Sequence, residues 1–223
     1  MKDLSVYYTI EIISMRQLIL ASGSARRKDI LEFLGIPFSV VVSEFPEERV
    51  LWSDFDEPGD YVSTIASGKV FTLLPLYPDA LILGADTSVF LEGEVFGKPK
   101  DLDDARRILR RLRGKRHEVV TGVVLLDTLT REHNRAVVTS QVEFLPFSDE
   151  QLENYIETGE SLGKAGAYAI QLGARSFVKN VFGSVSNIVG LPIEETSSLL
   201  EEFGMPIDVN ISAIVDEHFT FRE

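Results

Sequence analysis

The chain has 223 residues, 44% hydrophobic and 26% charged, a size and balance that suit one folded domain and exclude disorder. Its formal charge of −13 sets the surface as a whole against nucleic acid, although screening over about 8 Å lets a local basic cluster still hold a small anion. No apolar run approaches the roughly 20 residues that span a bilayer, and the absence of cysteine excludes disulfides and Cys-ligated zinc and suits a reducing, cytoplasmic compartment.

Residues 1–14 carry Asp3 and Glu11 and lack the basic-then-apolar pattern of a secretory signal, so they read as an N-terminal extension ahead of Met15. Gln17 to Ala21 reads as a short buried strand running into Ser22-Gly23-Ser24, with a helix opening near Ser24 and stopping at Gly35. Phe38 to Val42 is a second strand, followed by an acidic loop from Ser43 to Glu57. Pro58 is placed to open a helix carrying Tyr61, Ile65, Phe71 and Leu74. Ala80 to Ala85 reads as an apolar strand that ends in Gly84-Ala85-Asp86-Thr87, and Glu92-Gly93-Glu94 as a hairpin turn.

Asp101 to Arg113 has the spacing of an amphipathic helix. Its five arginines are read as a solvated face, because Asp103 and Asp104 near the start and Arg110, Arg111 and Arg113 near the end complement the helix dipole. Glu118 to Leu126 and Ala136 to Phe144 form a hairpin, and helices follow over Ser148 to Glu157 and Pro192 to Phe203. Strands alternating with helices, plus hairpins, predict an α/β fold with a mixed sheet.

Leu20 to Arg27, LASGSARR, is the strongest local signal. Small residues after a strand let backbone amides approach a ligand, and the next helix N-terminus presents unpaired N–H groups to an anion. Arg26 and Arg27 oppose the helix dipole there, a misfit that a bound phosphate would relieve; the alternative is a plain turn with exposed arginines. No Gly-Lys-Ser/Thr closes the loop as a Walker motif would. Asp86 at a strand end is either a turn former or a functional carboxylate. Glu47 and Glu48 offer hard oxygens that could join it around Mg²⁺, and Lys98 lies beyond the next hairpin. Lys69 reads as a phosphate ligand or, more simply, as a helix-surface lysine. Gly163 to Gln171 mixes small residues with Lys164 and Gln171, and a Gln amide can read a base edge. His117, His133 and His218 lack ligand spacing and read as structural or exposed.

Taken in order, LASGSARR, GADT (Gly84 to Thr87), GKP (Gly97 to Pro99), TGV (Thr121 to Val123), GKAGAYAIQ (Gly163 to Gln171) and GSVSNIVGLP (Gly183 to Pro192) resemble the Maf family of nucleoside triphosphate pyrophosphatases, named for a link to septum formation. The resemblance spans about Leu18 to Phe203. It implies a single catalytic domain over residues 15–204 with a tail over 205–223, and an elongated, twisted mixed sheet flanked by helices, ITPase-like, with an active-site cleft. It further implies a homodimer that cleaves a triphosphate between its α and β phosphates with Mg²⁺, Mn²⁺ or Co²⁺. By position, Asp86 would be the catalytic base. Arg26, Thr87 and Gln171 would set specificity, while Ser22, Ser24, Arg26, Arg27, Lys69, Lys98 and Lys164 would bind phosphates. Glu48 and Asp86 would hold metal. Lys164 and Gln171 resemble the branch acting on dTTP and UTP. The chain departs from the family pattern at Ala25, Gly163, Leu172 and Val185, the last three bearing on the base pocket. Two rival readings are a nucleotidyltransferase and a non-catalytic nucleotide-binding regulator of cell division.

Overall fold

The computed structural model describes residues 16–221, so the N-terminal extension lies outside the described residues. Seven strands form one mixed sheet in the order β2-β1-β3-β5-β6-β7, with β4 paired to β3. These are β1 (Gln17–Leu20), β2 (Phe38–Val40), β3 (Ala80–Leu91), β4 (Glu94–Phe96), β5 (Arg116–Asp127), β6 (His133–Phe144) and β7 (Val178–Phe182). β1 runs parallel to β2 and β3, and the remaining pairings are antiparallel. The helices are α1 (Ala25–Glu32), α2 (Pro58–Leu73), α3 (Leu102–Leu112), α4 (Asp149–Glu157), α5 (Val185–Val189), α6 (Ile193–Glu202) and α7 (Ile211–His218).

Alternation along the strands divides the core. Ile19 and Ile82 pack under Ala66, Val70 and Leu73 of α2 on one face, while Leu18, Leu20, Leu81 and Leu83 join residues of α1, α3, α4 and α6 on the other. Helix starts follow their caps. Ser24 caps α1, Pro58 occupies the first turn of α2, Asp101 caps α3, and Ser148 with Gln151 forms a capping box on α4. The arginines of α3 pair with acids: Arg106 with Glu153, Arg107 with Asp104, Arg110 and Arg113 with Asp149, and Arg111 with Glu94. Phe71, carried by α2, is exposed.

The largest departure from the sequence reading is β3. It does not stop at Ala85 but continues through Asp86 to Leu91, paired with β5 from Leu81 to Phe90. Its other edge is shared: β1 covers Ala80 to Leu83 and β4 covers Val89 to Leu91. β4 returns through Glu92 (φ 53°) and Gly93 (φ 79°), the left-handed pair a two-residue hairpin turn requires. Among the described residues, no strand lies beside the Gly84–Ser88 stretch of that edge, between β1 and β4. The cleft opens there.

Candidate active site

β1 ends at Leu20, opposite Leu83, and the chain turns away through Ser22, Gly23 and Ser24 into α1. The Ser22 hydroxyl accepts from the Ser24 amide at 3.2 Å, and the Ser24 hydroxyl accepts from the Arg27 amide at 3.5 Å, fixing the first turn of the helix. That turn buries Arg27. Its guanidinium donates to the Gly190 carbonyl at 2.8 Å, to the Ser22 hydroxyl at 3.3 Å and to the Thr87 hydroxyl at 3.1 Å. All three partners are neutral. Burial pulls the Arg27 pKa down, and the charges of Asp86 and Glu47 oppose that pull. Arg26 is half-buried; burial first and the Arg27 charge second lower its pKa. Among the described residues neither arginine is ion-paired with a carboxylate. A buried guanidinium with only neutral partners is a place for an anion.

Asp86 and Thr87 leave β3 on opposite faces, as neighbours in a strand must. On the Asp86 face lies α2, brought close by two glycines. A Cβ on Gly84 would meet Val70 Cγ1 at 2.6 Å and the Ala66 carbonyl at 2.9 Å, and one on Gly122 would meet the Ser63 amide nitrogen at 2.9 Å. This close approach buries Lys69, 5% exposed, against Asp86, 7% exposed. Lys69 Nζ donates to Asp86 Oδ1 at 2.9 Å and to the Ala85 carbonyl at 3.3 Å, and lies 3.2 Å from a Glu47 carboxylate oxygen. It is not a helix-surface lysine. The Ser88 hydroxyl donates to Asp86 Oδ2 at 3.3 Å.

On the opposite face the Thr87 hydroxyl meets that of Thr121 at 2.9 Å, Thr121 donates to the Asn187 carbonyl at 3.1 Å, and the Asn187 amide donates to the Val119 carbonyl at 3.0 Å. The TGV and GSVSN segments are therefore the frame that holds Thr87 and Arg27.

Both faces look into one cleft of about 450 Å³. Ser22, Ser24, Arg26, Arg27, Lys69, Asp86, Thr87, Lys98 and Lys164 all line it. Lys98 is exposed, and burial, then the Arg26 charge, lowers the Lys164 pKa. The loops carrying Lys98 and Lys164 are joined where the Gly166 amide donates to the Gly97 carbonyl at 3.1 Å. Arg26, Arg27, Lys69, Lys98 and Lys164 stand against Asp86 and Glu47, so five cations less two anions leave a local excess of three positive charges in a chain of net −13.

Two sequence-designated residues lie elsewhere. Glu48 is exposed and does not line the cleft; the single 3₁₀ turn Glu47–Arg49 directs the preceding acid, Glu47, to Lys69 instead. Gln171 is exposed and lines a separate neighbouring pocket. Among the described residues no group of three or more His, Cys, Asp or Glu could enclose a metal. Asp86 and Glu47 both reach Lys69 Nζ, however, and a pair of hard carboxylates completed by phosphate oxygens suits Mg²⁺. Sequence reasoning placed Thr121, Tyr168 and Gly190 within matching motifs but gave them no role, and the structure brings them to the site or its frame.

The "dTTP/UTP pyrophosphatase" of Symbiobacterium thermophilum is 44% identical over 195 residues, 86% of this chain and 97% of its own. That of Anaeromyxobacter dehalogenans is 46% identical over 194 residues, 86% and 96% of the two chains, and that of Xanthomonas axonopodis pv. citri is 44% identical over 191 residues, 84% and 98%. A solved Staphylococcus aureus Ham1 protein overlaps 58% of this chain and 72% of its own at a TM-score of 0.41 and 14% identity. With the model described as "Maf-like protein" matching residues 17–203, the chain belongs to the Maf family.

Proposed function

We propose that this chain is a nucleoside triphosphate pyrophosphatase that hydrolyses the α–β phosphate bond, preferring dTTP and UTP, and releases nucleoside monophosphate and pyrophosphate. One observation carries the reading: a single cleft gathers five cations around a carboxylate held in place by a buried lysine. The names and identities of the family relatives support the choice of substrates.

Asp86 is assigned as the general base. Lys69 engages its Oδ1 and Ser88 donates to its Oδ2, whose second lone pair takes a proton from an attacking water; the water oxygen bonds to the α-phosphorus while the bridging oxygen leaves with pyrophosphate. Arg27 with Ser22 and Thr87 forms a fixed fork for phosphate oxygens, and Arg26, Lys98 and Lys164 neutralise charge on the leaving group. Asp86 and Glu47, rather than Glu48, are assigned to a divalent cation (Mg²⁺, Mn²⁺ or Co²⁺), which when bound supplies charge neutralisation and a more acidic water. Homodimeric assembly and a cytoplasmic location belong to the same reading, on the family resemblance and the absence of cysteine; light scattering of the purified chain tests the first. No described helix is long and apolar enough to cross a membrane.

The test is a pyrophosphate-release screen over natural and modified triphosphates with each of the three metals. Turnover in buffer with no added acceptor is expected, which separates hydrolysis from nucleotidyl transfer. Binding with no pyrophosphate at any metal concentration would leave a nucleotide sensor. Asp86→Asn should lose about 10²–10³ in rate or more; near-normal turnover by that variant removes Asp86 from the chemistry.

A further inference from the structure

Beside the cationic cleft lies a second pocket of about 230 Å³, and Arg26 and Val189 line both. Its other walls include Phe33 of α1, Gln171, and His218 and Phe219 at the end of α7. The family match stops at residue 203, so the last two come from beyond it. They are nonetheless firmly placed. The His218 ring stacks on Phe33 at 4.3 Å between centroids with 24° between planes, and Phe219, 4% exposed, meets Phe33 edge-on at 5.8 Å. Asn210 caps α7, accepting from the Ala213 amide at 3.1 Å, and Met205 joins the main core. The Arg175 guanidinium lies 3.7 Å from the centroid of the Phe221 ring, tying the end of the tail to the loop that follows Gln171.

The contents of this pocket differ from those of the cleft. The cleft has the lysines and Arg27, whereas the pocket, beyond the shared Arg26 and the Asp29 carboxylate at its wall, has aromatic rings, an aliphatic floor of Ile30 and Val189, and one amide able to donate and accept. Flat apolar faces with a polar edge-reader are the chemistry of nucleobase recognition. Phosphates held by Arg27 and the lysines place Arg26 between them and this pocket.

We propose that α7 completes the base-recognition site of this chain, with His218 and Phe219 forming the wall for a pyrimidine base and Gln171 standing at its edge. The inference rests on the triphosphate pyrophosphatase reading and adds a specificity determinant from outside the family region.

The test compares wild type with His218→Ala, an exposed position whose change leaves the core intact, and with His218→Phe, which keeps a ring against Phe33. KM and kcat are measured for dTTP, UTP, CTP and ITP, and dTMP binding is measured by calorimetry. In His218→Ala, KM for the preferred pyrimidine nucleotide and Kd for dTMP should each rise about tenfold with much less change in kcat, and preference among bases should flatten. His218→Phe should recover most of the loss. Unchanged KM, Kd and base preference in His218→Ala overturn the wall. A wild type that hydrolyses none of the triphosphates overturns the underlying reading, and the dTMP comparison then still decides whether the wall touches a base.

Discussion

Arg27 concentrates the logic of the site in one side chain. Its three hydrogen bonds run to residues from the β1 turn, from β3 and from the end of α5, which lie up to 163 positions away. A lysine at that position keeps the charge but reaches as a point rather than a fork. Arg27→Lys should therefore lower kcat/KM by roughly 10²-fold, at about 1.5–3 kcal/mol per charged hydrogen bond lost, with steady-state pyrophosphate release as the readout. Lys69→Met leaves Asp86 buried without its cation and should cost about 3–5 kcal/mol of stability, read by urea unfolding, together with most activity. The arginine pair was legible in the sequence because two cations at a helix start are a local misfit. Lys69 was legible only through the family resemblance, because nothing in its neighbours reveals which face of α2 the sheet will take. Glu47 and Glu48 could not be told apart either, since a one-residue rotation in a short 3₁₀ turn decides which of them faces inward.

Elements meet here through missing side chains. Gly84 and Gly122 let α2 lie against β3 and β5, and Gly68 makes room for Phe45, whose ring would lie 2.3 Å from an added Cβ. Gly84→Ala must push against the Ala66 backbone as well as Val70, so α2 shifts and carries Lys69 from Asp86. A loss of about 1–3 kcal/mol in stability is expected, with a proportionally larger loss of kcat. Gly68→Ala should displace Phe45 and the loop bearing Glu47, because the blocking group is a ring with limited room. Raised metal requirement with little change in Tm is the expected signature, read by titrating Mg²⁺ against rate. Capped helix starts and the Glu92-Gly93 turn were readable from sequence, since their chemistry is local. The continuation of β3 through Gly84-Ala85-Asp86 was not, because residues that usually form turns are here stabilised as strand by ten pairings with β5.

At the scale of the molecule, the buried His117 gives stability a pH dependence. Its ring accepts or donates to the Tyr168 hydroxyl at 2.9 Å and meets Phe144 edge-on, and burial lowers its pKa from 6.5 to about 3. Between those values the unfolded chain binds the extra proton, so stability falls as pH falls from about 6.5 toward 3, by up to about 1.4 kcal/mol per unit. Above 6.5 the ring is neutral in both states and adds no slope. His117→Gln, which can still bond Tyr168, should flatten a plot of Tm against pH over that range. The placement of Gln171 in its own pocket and the docking of residues 205–221 onto the domain are also properties of the whole, set by long-range packing that no local pattern encodes. The shortness of β1 reaches furthest. Had it run four residues longer, its backbone would zip along β3 past Asp86, and the Ala85 carbonyl would bond a neighbouring strand instead of Lys69. Such a variant would be a more complete sheet and, on the proposed function, an inert one: the candidate active site occupies a vacancy left by an early-ending strand.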